Sequence, residues 1–197
     1  DCPVKRAVSP EVICRLMTDR KPLPGKLAFS RDLFVLLFLL RGMPFVDLAF
    51  LRRCDLQGNV ITYHRRKTSR KLTVVVGKEA MEIIQKYMYA IPDSPYLFPI
   101  IQNPGKDEYG QYARMLRLQN YRLTQVANIL GIRDRLSTYT ARHTWATTAL
   151  RQNYNSSLIC DAMGHSSVKV TETYFQPYRD DEVNRMNSSL ITYILSK

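Results

Sequence analysis

The chain has 197 residues, 45% of them hydrophobic, so it can bury a full core and is not a disordered tract. Its 29 Lys and Arg against 17 Asp and Glu leave a formal net charge of +12, which favours a polyanionic partner. The longest apolar run, 33–40, falls far short of the ~20 residues that a bilayer-spanning helix needs. Cys2, Cys14, Cys54 and Cys160 form no CxxC pair and have no histidine at metal-ligand spacing, which argues against zinc and for reduced thiols.

Ser9-Pro10-Glu11 predicts an N-cap, a proline at the first helical position and an early acid, opening a helix to about residue 17. Residues 22–25 read as a loop. Ser30 is expected to cap a helix over 31–41, apolar nearly all round and therefore central. Gly42 stops it, and Pro44 opens a further helix over 44–53.

The period then changes. Segments 60–64 and 72–76 are rich in β-branched residues and predict two strands joined by a basic hairpin tip over 65–71. Helices are expected over 78–88, from about 108 to 131 in one or two pieces, and over 141–152, 156–163, 168–174 and 180–195. Residues 91–95 break the chain, and 96–99 are short and extended. The fold class is α+β, predominantly helical, with a small antiparallel sheet.

Three pieces carry the chemistry. They are Thr138-Tyr139-Thr140-Ala141-Arg142-His143-Thr144-Trp145, then Met163-Gly164-His165-Ser166-Ser167, then Thr171-Glu172-Thr173-Tyr174. In this order they resemble the catalytic domain of the tyrosine recombinases, the phage-integrase family, and the resemblance runs along essentially the whole chain. It implies the DNA breaking-rejoining catalytic fold and a site-specific recombinase or integrase that needs neither metal nor cofactor nor ATP. It also implies double-stranded DNA as partner, a homotetramer on synapsed DNA with a monomer in free solution, and no membrane. The expected location is the bacterial cytoplasm, at the nucleoid. A type IB-like topoisomerase and a catalytically silent DNA-binding module are the alternatives.

The resemblance assigns roles residue by residue. Tyr174 is the nucleophile, and its nearest rival, Tyr178, has no motif behind it. Arg142 clamps the phosphate, His165 donates to it or moves a proton, and Lys67 on the hairpin tip protonates the leaving 5′ oxygen. These residue types suit the task. A diester attacked by a side chain needs its charge cradled, and a guanidinium fork meets two phosphate oxygens at once. A free tyrosine titrates near pH ~10 and needs help to attack. His143, next to Arg142, faces elsewhere on its helix and is assigned a structural role.

Two positions depart from the family pattern. Tyr139 stands where a histidine is usual, and its hydroxyl can still hydrogen-bond to a phosphate or orient Arg142. Pro44, in Gly42-Met43-Pro44-Phe45-Val46-Asp47-Leu48, stands where the family has its first arginine. Arg41, under one helical turn away if the helix continued, is the expected replacement, with Asp47 as the acid that steadies it. The expected division is a catalytic domain over 1–178 and a C-terminal helix over 179–197, packed in cis or on a neighbouring protomer. The chain opens at Asp1 without a methionine, so N-terminal DNA-binding domains are expected outside it.

Overall fold

The central element is a helix without a polar face. In the computed structural model, which describes residues 7–165 and 180–196, Leu33, Phe34, Val35, Leu36 and Leu37 of one helix are all buried. A helix apolar on every side must be covered on every side. This helix, α2 (Gly25–Leu39), is packed by α1 (Pro10–Thr18), α4 (Lys78–Tyr87), α5 (Glu108–Leu130) and α6 (Thr138–Arg151). The main core gathers around it. A smaller cluster of Ala146, Ile159 and Met163 lies where α6 meets α7 (Ser156–Met163).

Between α2 and α4 lie the short α3 (Phe45–Ala49), a single 3-10 turn at Arg53–Asp55 and a three-stranded antiparallel sheet. Its strands are β1 (Leu56–Gln57), β2 (Val60–His64) and β3 (Lys71–Val75), in that order. Val60 pairs with Val75 and His64 with Lys71. That register turns Ile61, Tyr63, Leu72 and Val74 to the core. The last described element is α8 (Asp180–Leu195), on which Met186, Leu190, Ile191, Tyr193 and Ile194 are exposed.

Several expected boundaries move. Helix α2 starts at Gly25 behind Pro24, and Ser30 is not its cap but a fully buried interior residue. Burial of Leu27 outweighs the loop signals of that stretch. The same helix ends at Leu39, so helical geometry does not reach Arg41. Both Arg41 and Gly42 take positive φ, and Pro44 caps α3 from outside. The helix expected over 44–53 shrinks to α3, because Leu51 and Arg53 bond to the extended segment near Tyr96 instead. Strand β1 has too few residues to carry a pattern, and α5 is one piece. Helix α6 begins three residues early. Ser137 and Thr140 exchange side-chain and backbone bonds in a capping box, so Thr138-Tyr139-Thr140 is helical despite its β-branched residues. The helix expected over 168–174 lies outside the described residues.

Candidate active site

Arg142 sits in the second turn of α6 and is 3% exposed. Its Nη1 donates to Gly42 O at 2.5 Å and its Nη2 to Met163 O at 3.0 Å. Nη2 also stands 2.7 Å from His165 Nε2. A guanidinium only donates, so Nε2 accepts and the proton of the neutral imidazole is assigned to Nδ1. Gly42 makes this approach possible. At φ +65° it occupies the left-handed region, and a Cβ there would stand 3.0 Å from Arg142 Cα.

His165 follows the left-handed Gly164 that closes α7, and its N–H donates to Cys160 O. Burial pushes its pKa down to about 4, and the charges of Arg142, Arg65 and Lys67 push the same way. His165 is therefore neutral at neutral pH. Lys67, although exposed on the hairpin turn, is close enough for its charge to reach His165.

The hairpin is tied down everywhere except at that tip. Arg65 N–H donates to Arg70 O, and Arg66 N–H to Asp47 Oδ1 at 3.0 Å. Arg70 reaches His165 O at 3.0 Å and Asp161 at 2.9 Å, and the Arg66 guanidinium lies over the Phe50 ring. A swing of Lys67 is thus confined to the turn itself.

Asp47 is buried, and it holds Arg65, not Arg41. Its Oδ2 accepts from Arg65 Nε at 3.2 Å. Arg65 Nη1 then donates to Met163 O at 2.9 Å and to Gly164 O at 3.1 Å. Arg65 and Arg142 thus meet on the same carbonyl oxygen. Arg41 Nη1 instead donates to Thr73 O of β3, at 3.2 Å. The field of all these groups falls on buried Tyr63. Burial raises its pKa strongly, Asp47 adds to the rise, and Arg65, Arg142 and Arg41 oppose it.

Tyr139 is exposed in the first turn of α6, its ring edge-on to His143 at 4.6 Å. Tyr174 and Tyr178 lie outside the described residues. The structure thus brings Arg142, His165, Asp47 and the Lys67 hairpin together. Arg65 was missed. Among the five basic residues of 65–71, no local signal separates it from its neighbours, and only its long-range pairing with Asp47 does. Among the described residues, no group of three or more His, Cys, Asp or Glu could hold a metal ion, and no helix is long and apolar enough to cross a membrane.

The sequence matches the phage integrase family over residues 7–180. The chain belongs to that family. It is 26% identical over 167 residues to the tyrosine recombinase XerC of Thermodesulfovibrio yellowstonii, covering 78% of this chain and 52% of the relative. It thus spans about half the length of that protein. A shorter match, 32% over 60 residues, is to a tyrosine recombinase of Pseudothermotoga lettingae, covering 30% of this chain and 21% of that one. The fold is that of the Tn1549 transposon integrase in complex with a circular intermediate DNA. That likeness has a TM-score of 0.68 at 17% identity over 96% of this chain and 67% of that one. XerA recombinase is similar at a TM-score of 0.66 and 20% identity, over 95% and 63%.

Proposed function

We propose that the chain is the catalytic domain of a site-specific DNA recombinase or integrase that moves a mobile element or prophage. In this reading Tyr174 Oη gives up its proton to water as it attacks the scissile phosphorus, and the bond to the 5′ oxygen breaks. A 3′-phosphotyrosine and a free 5′ hydroxyl result. Arg142 binds the non-bridging oxygens, His165 borders them, and Lys67 gives its proton to the leaving oxygen. Tyr139 borders the phosphate from the first turn of α6, and Arg41, bonded to Thr73 O, reaches it only by releasing that bond. The reverse step rejoins DNA with no outside energy source, because the phosphotyrosine keeps the energy of the broken bond.

The observation that carries this reading is the buried contact of Arg142 Nη2 with His165 Nε2 at 2.7 Å, under a hairpin that presents Lys67. A guanidinium held in place away from water, with an imidazole bonded to it, is what a developing phosphorane charge requires. DNA binding follows from the charge of +12, and affinity should fall steeply with salt. The exposed apolar residues of α8 suit docking on a neighbouring protomer in a DNA-bound tetramer. Pro44 in the family's arginine position favours one competing reading, a module that binds DNA without cutting it.

The experiment is incubation with a randomised pool of nicked duplexes, whose cleavage frees a short end and blocks rejoining. A denaturing gel should show a slow protein–DNA adduct that vanishes in Tyr174→Phe. An adduct that persists in that variant rejects Tyr174. Binding without any adduct in the wild type supports the silent module.

A further inference from the structure

We infer that Arg65 supplies the second phosphate-binding guanidinium, the one that Pro44 cannot provide, and that it reaches the site from the hairpin just after strand β2 instead of from the α2–α3 turn. The inference rests on the recombinase reading above and names a further catalytic residue for it.

Four observations converge. Asp47, the acid expected to steady the missing arginine, is bonded to Arg65 through Nε at 3.2 Å. Arg65 and Arg142 share Met163 O, at 2.9 Å and 3.0 Å, so two guanidinium groups stand side by side next to His165. Arg65 commits Nε to Asp47 and Nη1 to the carbonyls of Met163 and Gly164. None of its hydrogen bonds uses Nη2, which keeps two donors for an incoming oxygen. Gly164 makes the room: a Cβ at that position would stand 2.6 Å from Arg65 Cδ.

Geometry favours this role over a purely structural one. Arg65 and Arg142 are both buried and meet on Met163 O, with Asp47 bonded to Arg65. The two non-bridging oxygens of a phosphodiester match two adjacent forks. Arg41, by contrast, spends Nη1 on Thr73 O and must release it to bind an anion.

The test uses the full chain and the duplex that the wild type cleaves best from the randomised pool. That duplex is made once with an ordinary diester and once with a methylphosphonate at the cut position. A methyl in place of a non-bridging oxygen removes the charge a guanidinium balances. Arg65→Ala should slow adduct formation by about 10²–10³-fold on the diester and regain most of that loss on the methylphosphonate. Arg65→Lys, which keeps the charge but not the fork, should fall between. Equal losses on both linkages, or wild-type rates in Arg65→Ala, overturn the inference while leaving the Tyr174 reading intact. If the wild type forms no adduct, the recombinase reading fails, and titration with inorganic phosphate still tests Arg65. Arg65→Ala must then weaken phosphate binding about tenfold or more. Unchanged phosphate affinity overturns the assignment.

Discussion

Two carboxylates are buried among the described residues, Asp32 on α2 and Asp47 on α3, and they keep different company. Asp32 accepts from Lys86 at 2.7 Å, from the Tyr87 hydroxyl at 2.7 Å and from Arg31 at 2.9 Å. Its cations reach water: the side chains of Lys86 and Arg31 are 52% and 20% exposed. Asp47 faces Arg65, whose side chain is only 7% exposed, with buried Arg142 beside it. The first cluster is neutralised from the surface and ties α2 to α4. The second sets two buried guanidinium groups on one carbonyl oxygen, with Asp47 bonded to one of them. Burial of charge alone does not mark a site; two buried guanidinium groups side by side next to a histidine make a candidate.

The largest expected effect is on Arg142. Arg142→Ala should lower the rate of adduct formation by about 10²–10³-fold or more, the cost of one preorganised charge-stabilising donor. Asp32→Asn measured alongside should cleave at the wild-type rate at a temperature where both are folded. An equal loss in both would erase the distinction between the clusters.

Stability should separate them next. Asp47→Asn removes the carboxylate paired with the buried guanidinium of Arg65 and should cost about 3–5 kcal/mol in urea unfolding. Asp32→Asn leaves cations that can turn to water and should cost less, about 1–3 kcal/mol. Added inorganic phosphate should recover more stability in Asp47→Asn than in Asp32→Asn, because only the first leaves an anion-binding corner. Reversed costs, or equal recovery, would break the comparison.

A backbone probe is smaller. Gly164→Ala places a Cβ against Arg65 Cδ and Leu72 Cδ1 at a φ of +65°. It should cost about 1–3 kcal/mol and lower the melting temperature. An unchanged melting temperature would mean that Arg65 is not packed against this turn.

The pH effects are the smallest. The depressed pKa of His165, about 4, means that the unfolded chain binds the proton first. Its contribution to stability should be complete above about pH 6.5 and be lost as pH falls from there to about 4. For Asp32, burial raises the pKa, but the bonds from Lys86, Tyr87 and Arg31 outweigh it and hold the carboxyl below its usual value. That contribution should be present above about pH 4 and fade only on further acidification, through the depressed pKa. Unfolding curves of His165→Asn and Asp32→Asn against wild type across pH 2–8 resolve the two windows. A loss near pH 6 that survives in His165→Asn would assign that window to another group.

Much of the fold was legible in the sequence. The all-apolar run of α2, the β-branched strand Val60–His64 and helices α7 and α8 appear where local pattern puts them, because each satisfies its own period. The misses were places where packing overrides local preference: the early start of α2 through Leu27, and α3 cut short by backbone pairing near Tyr96. Of the site, Arg142 and His165 could be picked from their motifs, and the structure sets them 2.7 Å apart. Arg65 could not be picked, since the five basic residues of 65–71 look alike until Asp47, eighteen positions earlier, selects one.

By itself the sequence determined the class of fold, the family and which residue types are present for phosphate chemistry. Those follow from periodicity, charge and motif, which are local properties of the chain. Only the tertiary structure decided which guanidinium groups share a corner. That choice depends on the left-handed turns at Gly42 and Gly164, where the absence of a Cβ lets α6 approach the α2–α3 turn and lets Arg65 lie under the end of α7. Close approach is set by sterics between distant segments, and no local pattern records it.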